Sequence, residues 1–307
     1  MTIRLLMLAL MVIVTLPAFA AGPRVVVSLK PVHGLVADVM KGVGEPHLLL
    51  TASADPHSHA LRPSEARKLV QANVVFWVGS NLEGFLRKPL FNLSSGSRVV
   101  PLLRSPRLLR LKQRQGGIWE VDDPNRNKGN EFDPHFWLDP RNARIIVLQI
   151  VEVLSQIDPD NAAIYEINGK RLSLELTKLE HDIHELLAPV RALPYFVLHG
   201  AYQYFEFRFR TYGIGAIALD HDHKPGARRI AMIHQRLRVG GVRCLFQEAE
   251  FSSKMVKALT KGTTARVGVL DPIGKNVRSG PGAYSRILRD LAGSLEKCLS
   301  YSIEEKK

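Results

Sequence analysis

Long apolar runs are nearly absent from this 307-residue chain. The one that exists, Leu5 to Leu16, follows Arg4 and is too short for a comfortable membrane span. It leads into Pro17, Ala18, Phe19, Ala20 and Ala21, an A-x-A pattern of small residues, so residues 1–20 read as a signal peptide removed on export. No cysteine stands at that cleavage site, which excludes lipid attachment there and favours a free, soluble periplasmic protein. Cysteine is scarce throughout. Cys244 and Cys298 are the only two, and an even count in an exported chain predicts one disulfide. There is no internal repeat, no H-E-x-x-H pairing and no histidine-rich tract. The missing H-E-x-x-H removes the general base that a zinc hydrolase would place beside its metal-bound water.

Acidic residues are outnumbered. Forty-two Lys and Arg against 29 Asp and Glu give a net charge of +13, a balance that raises nucleic acid or an anionic membrane as a partner. Export argues against nucleic acid. The one basic concentration (Arg104, Arg107, Arg110, Lys112 and Arg114) has no interleaved aromatics and reads as a solvated loop, with a basic docking patch as the alternative.

What the chain does have is alternation. Short apolar runs (Val25–Leu29, His47–Leu50, Val74–Val78, Val99–Leu102, then Tyr195–Leu198, Ile214–Leu219, Cys244–Gln247, Arg266–Leu270) are separated by helical patterns. That order predicts an α/β protein of two similar lobes, each with a four-stranded, mainly parallel sheet. From Pro159 to Leu187 the apolar residues recur at helical spacing, with Pro159 near the start and Pro189 just past the end, which predicts one long rigid helix joining the lobes. The expected boundaries are an N-terminal lobe over 21–157, a linker helix over 158–189 and a C-terminal lobe over 190–307. Lys112–Asp133, rich in Gly, Asn, Asp and Pro, reads as a long loop.

In open α/β sheets, ligands bind beyond the carboxyl ends of the strands. His199, Glu248 and Asp271 each directly follow an apolar run, while His57 and His135 lie in proline-bearing loops of the first half. Such residues could converge on a cleft between the lobes. His57-Ser58-His59-Ala60-Leu61-Arg62-Pro63-Ser64, His135-Phe136-Trp137-Leu138-Asp139-Pro140, Phe196-Val197-Leu198-His199-Gly200-Ala201-Tyr202 and Leu270-Asp271-Pro272-Ile273-Gly274 resemble, in this order, the motifs of the metal-binding solute receptors of ABC transporters, and among them the zinc-binding branch. The resemblance covers essentially all of the mature chain.

The resemblance implies a zinc ion as ligand, held by His57, His135, His199 and the Asp271 carboxylate. It further implies docking on an inner-membrane ABC permease, no catalytic residues and a Cys244–Cys298 disulfide; a monomer is expected. Three imidazoles with one carboxylate suit tetrahedral zinc, whereas manganese prefers more oxygen ligands. Manganese receptors of the superfamily typically carry glutamate at the place of His199. His59 competes with His57, and Glu248 or water competes with Asp271 for the fourth position. His221 and His223 form an accessory candidate on the rim; His181 and His184 read as a solvated helix face. Related receptors often carry a histidine-rich loop between the first two motifs. Here that loop keeps only the acids Glu120, Asp122, Asp123, Glu131 and Asp133. The competing functions are a zinc-dependent hydrolase, a receptor for manganese or another transition metal, and an adhesin on the same fold.

Overall fold

A computed structural model describes residues 22–51, 54–93, 96–114, 132–218, 226–239, 241–248 and 253–301. The leader, residues 115–131 of the long loop with their acids Glu120, Asp122, Asp123 and Glu131, and the His221 and His223 pair lie outside them. Among the described residues no helix is long and apolar enough to cross a membrane.

The N-terminal lobe runs β1 (Val25–Val27), α1 (Lys30–Val39), β2 (His47–Leu48), α2 (Pro63–Gln71), β3 (Val74–Trp77), α3 (Arg87–Phe91) and β4 (Arg98–Pro101). Two long helices follow, α4 (Pro140–Ile157) and α5 (Ala162–Leu187). The C-terminal lobe contains β5 (Pro194–His199), α6 (Gln203–Phe209), β6 (Tyr212–Ala218), α7 (Ala227–Arg238), β7 (Cys244–Gln247), α8 (Ser253–Thr260), β8 (Arg266–Val269) and α9 (Ala283–Ser300). The sheets are ordered β2-β1-β3-β4 and β6-β5-β7-β8, and every pairing is parallel. Both therefore reverse strand order beside their first strand, and such a reversal opens a crevice at the carboxyl edge.

The central strands β1 and β3 are buried along their whole length, as the unbroken Val-rich runs demand of strands covered on both faces. All ten residues of α1 are buried, including Lys30, His33 and Asp38, and each of these polar groups has a partner. The Lys30 ammonium donates to the carbonyls of Gly274, Lys275 and Val277 at 2.5–3.0 Å, so a helix of the first lobe grips a loop of the second. Burial lowers the Lys30 pKa below the usual lysine range. His33 Nε2 donates to the Pro46 carbonyl, and Asp38 accepts the Gly282 N–H.

The proline that opens the long helical pattern sits in a 3-10 turn, Pro159–Asn161, and α5 proper starts at Ala162. At 1.5 Å per residue its 26 residues span about 39 Å. It packs against α4, α1 and α9 rather than standing free. Asn168 on α5 donates to the carbonyls of Val39 and Lys41, closing the end of α1. One apolar cluster runs without a break from Val25 and Phe76 through Leu172 and Leu176 to Tyr195, Phe246 and Leu295. The lobes are thus welded through a shared helical layer. A disulfide between Cys244 and Cys298 fastens α9 to β7, as the cysteine count predicts.

Candidate metal centre

The strand ends deliver the histidines. His199 is the last residue of β5, carried there by the buried run Tyr195–Leu198. His57 lies in the loop after β2, where the Asp55 carboxylate accepts the His57 N–H (3.0 Å) and the Ser58 hydroxyl (2.9 Å) and so fixes the turn. His135 precedes a 3-10 turn, Phe136–Leu138, whose three side chains are buried. That turn is nailed to the other lobe: Trp137 Nε1 donates to the Pro272 carbonyl (2.9 Å), and the Tyr284 hydroxyl donates to the Trp137 carbonyl (2.7 Å).

The three imidazoles meet. Their ring centroids are 5.1–5.9 Å apart, and one ligand nitrogen from each lies within 4.8 Å of the others. Among the described residues no other group of three or more His, Cys, Asp or Glu side chains is so placed. Nitrogens sharing one tetrahedral zinc at about 2.0–2.1 Å stand about 3.4 Å apart, so closing on an ion asks for no more than about 1.4 Å of approach. His135 and His199 are buried and His57 is half-buried, which leaves one ring near the mouth. The cavity between them holds about 20 Å³ and is lined by His57, His135, His199, Glu248 and Asp271, with Trp137 as an apolar wall. This is room for a single water-sized occupant.

Three carboxylates surround the rings. Asp133 Oδ1 lies 2.8 Å from His135 Nδ1, and burial pushes the Asp133 pKa up to about 7. Glu248 Oε1 lies 3.4 Å from His199 Nδ1 and accepts the Tyr202 hydroxyl at 3.0 Å. Asp271 lines the cavity, with Oδ1 accepting the N–H groups of Ile273 and Gly274 and Oδ2 that of Lys275. A carboxylate offers about four lone-pair positions, so one remains, on Oδ2. Gly274 has φ +69°, and an added Cβ would lie 2.3 Å from Ile287; glycine lets this loop wrap the Asp271 carboxylate.

The remaining sequence candidates fall elsewhere. His59 points away from the three rings: its Nε2 meets Glu65 Oε2 at 2.9 Å, its ring packs on Phe85, and the pair closes the start of α2. On α5, His181 is exposed, whereas His184 is half-buried with its ring near Phe209. Two of the basic residues read as a solvated loop have definite partners: Arg114 pairs with buried Glu206 at 2.5 Å, and Arg110 lies over the Phe132 ring. Sequence reasoning left Asp133 among the loop acids and gave no role to Lys30, Trp137, Tyr202 or Tyr204. An Asp two residues ahead of a histidine, with proline between, is an Asx-turn signal that could have singled out Asp133.

Comparison with known proteins agrees with this architecture. The family model described as ZnuA, "Zinc-uptake complex component A periplasmic", matches residues 25–298. A high-affinity zinc uptake system protein ZnuA of Brucella suis is 39% identical, with 91% of this chain and 93% of that protein covered. The Paracoccus denitrificans protein of the same name is 33% identical, with 92% and 94% covered. Among solved structures, one titled "Crystal structure of ZnuA" superposes with a TM-score of 0.75 at 20% identity, covering 91% of this chain and 99% of the other. The laminin-binding adhesin Lmb of Streptococcus agalactiae, in a mutant form, gives 0.76 at 22%, covering 91% and 100%. These two likenesses establish the fold. With the family match over nearly the whole described chain and relatives close to 40% identical, this chain belongs to the ZnuA family.

Proposed function

We propose that this protein is the periplasmic receptor that captures zinc and presents it to an ABC permease. The observation that carries the reading is the convergence of His57, His135 and His199 from both lobes, their ligand nitrogens within 4.8 Å of one another. Three imidazoles at an apolar-walled mouth suit zinc, and the relatives named for high-affinity zinc uptake support that choice of metal. Asp271, which lines the same cavity, is the candidate for the fourth position, directly or through a bound water. The family is one of receptors and not of enzymes. Release to the permease follows the same chemistry in reverse, since each imidazole binds metal only when deprotonated.

The test is a zinc titration of the mature chain by calorimetry, run beside a His57→Ala, His135→Ala, His199→Ala variant and repeated in the presence of manganese. One-to-one zinc binding that is abolished in the variant and resists manganese is expected, with affinity falling as pH drops through the histidine range. Zinc binding that survives the three substitutions would place the site elsewhere.

A further inference from the structure

We propose that Asp133 is a positioning residue for metal capture, holding His135 in the one tautomer that puts the lone pair on its outer nitrogen. This inference rests on the zinc-receptor reading of the cleft. Asp133 Oδ1 accepts two hydrogen bonds from His135, one from the backbone N–H at 2.9 Å and one from ring Nδ1 at 2.8 Å. As an ionised carboxylate Asp133 can only accept, and ring Nδ1 is then the donor that carries the proton. Nε2 then carries the lone pair. A carboxylate behind an imidazole sets both its tautomer and its orientation, and it raises the basicity of the other nitrogen toward a metal.

Asp133 is itself held from three sides. Its N–H donates to the Leu111 carbonyl (2.9 Å), its own carbonyl accepts the Tyr204 hydroxyl from α6 of the other lobe (3.0 Å), and Pro134 limits the backbone that follows. Both Asp133 and His135 are buried, 3% and 5% exposed, so bulk water offers no substitute acceptor for the Nδ1 proton. Asp133 is not among the three side chains whose ligand atoms converge. Asp55 accepts the backbone N–H of His57, and Glu248 stands 3.4 Å from His199 Nδ1.

The experiment is long-range proton–nitrogen NMR on the ¹⁵N-labelled, metal-free chain at pH 8, which reads the His135 tautomer, paired with zinc titrations of Asp133→Ala, Asp133→Asn and His135→Ala. Wild type should show the proton on Nδ1. Asp133→Ala should lose that single tautomer and bind zinc 10- to 100-fold more weakly. Asp133→Asn retains an accepting oxygen of the same shape, so it should keep the tautomer and fall between the two in affinity. A fixed Nδ1–H tautomer in Asp133→Ala would overturn the proposal whatever the affinity, and so would unchanged affinity in Asp133→Ala when His135→Ala has lost it. His135→Ala binding like wild type would sink the zinc-site reading, and this inference with it.

Discussion

Glu83 is a carboxylic acid with no solvent contact, and burial pushes its pKa up to about 7 from the usual 4.5. Ser28 Oγ donates to one of its oxygens and the Gly79 N–H to the other, yet these bonds do not offset the loss of water. Because the folded pKa is the higher one, the folded state holds a proton between about pH 4.5 and 7 that the unfolded state has given up. Stability therefore falls as pH rises through that window, by up to about 3 kcal/mol at 1.36 kcal/mol per pKa unit. Urea unfolding at pH 5 and pH 8 should show a smaller loss in Glu83→Gln, which cannot ionise, than in wild type, the remainder coming from Asp133, whose pKa burial raises into the same window; equal losses would mean that Glu83 titrates normally. Residues of this kind are hard to read from sequence, because a glutamate four positions after Gly79 resembles any loop acid until the strand ends fold around it. His199 was legible for the opposite reason, whereas His57 and His135 stood out through their motifs. His199 ends an apolar run, and a polar group there has to face the carboxyl edge of a sheet. Asp133 and Lys30 depend on contacts across more than one element, which no local spacing encodes.

At the scale of elements, the eight predicted strands are all present, with ends differing by at most two residues, because an unbroken run of Val, Leu and Phe has few alternatives to a buried parallel strand. β2 shrinks to two residues, His47–Leu48, at the edge of its sheet, where only one neighbour holds it. The packing of α5 was less legible. Its apolar stripe indicates a buried face and not what the face meets. Gly169 carries part of that information: an added Cβ would lie 2.5 Å from Val151 Cγ2 on α4, closer than side chains approach. Glycine in mid-helix costs about 1 kcal/mol relative to alanine, so its presence here is explained by the close α4–α5 approach. Gly169→Ala should lower stability by about 1 kcal/mol net, overpacking of about 1–3 kcal/mol outweighing the helix gain. Adding Val151→Ala should relieve the clash in a double-mutant cycle by chemical denaturation. A more stable Gly169→Ala single variant would refute the close approach.

The whole molecule behaves as two sheets on a common helical layer. The apolar cluster is continuous through α1, α4, α5 and α9, and polar bonds cross between the lobes beside it: Lys30 to the Gly274–Val277 loop, Trp137 to Pro272, and Arg208 on α6 in a two-pronged ion pair with Asp139 at the start of α4. Wide hinge opening would break that core. Solution scattering with and without zinc should therefore give the same radius of gyration, while the His57 loop and the rim adjust; a marked compaction on loading would contradict the weld. The strand alternation announced two lobes, but whether each closes its own core depends on which helices face both sheets, and periodicity does not record that. The claim on which everything else turns is that one zinc bridges the lobes through three imidazoles, and X-ray absorption at the zinc edge of the loaded protein addresses it most directly. The account predicts one zinc in a four-coordinate site with three nitrogen neighbours at about 2.0–2.1 Å, the multiple-scattering pattern of three imidazoles and one oxygen. A spectrum with one imidazole or none, or with an all-oxygen shell, would contradict it.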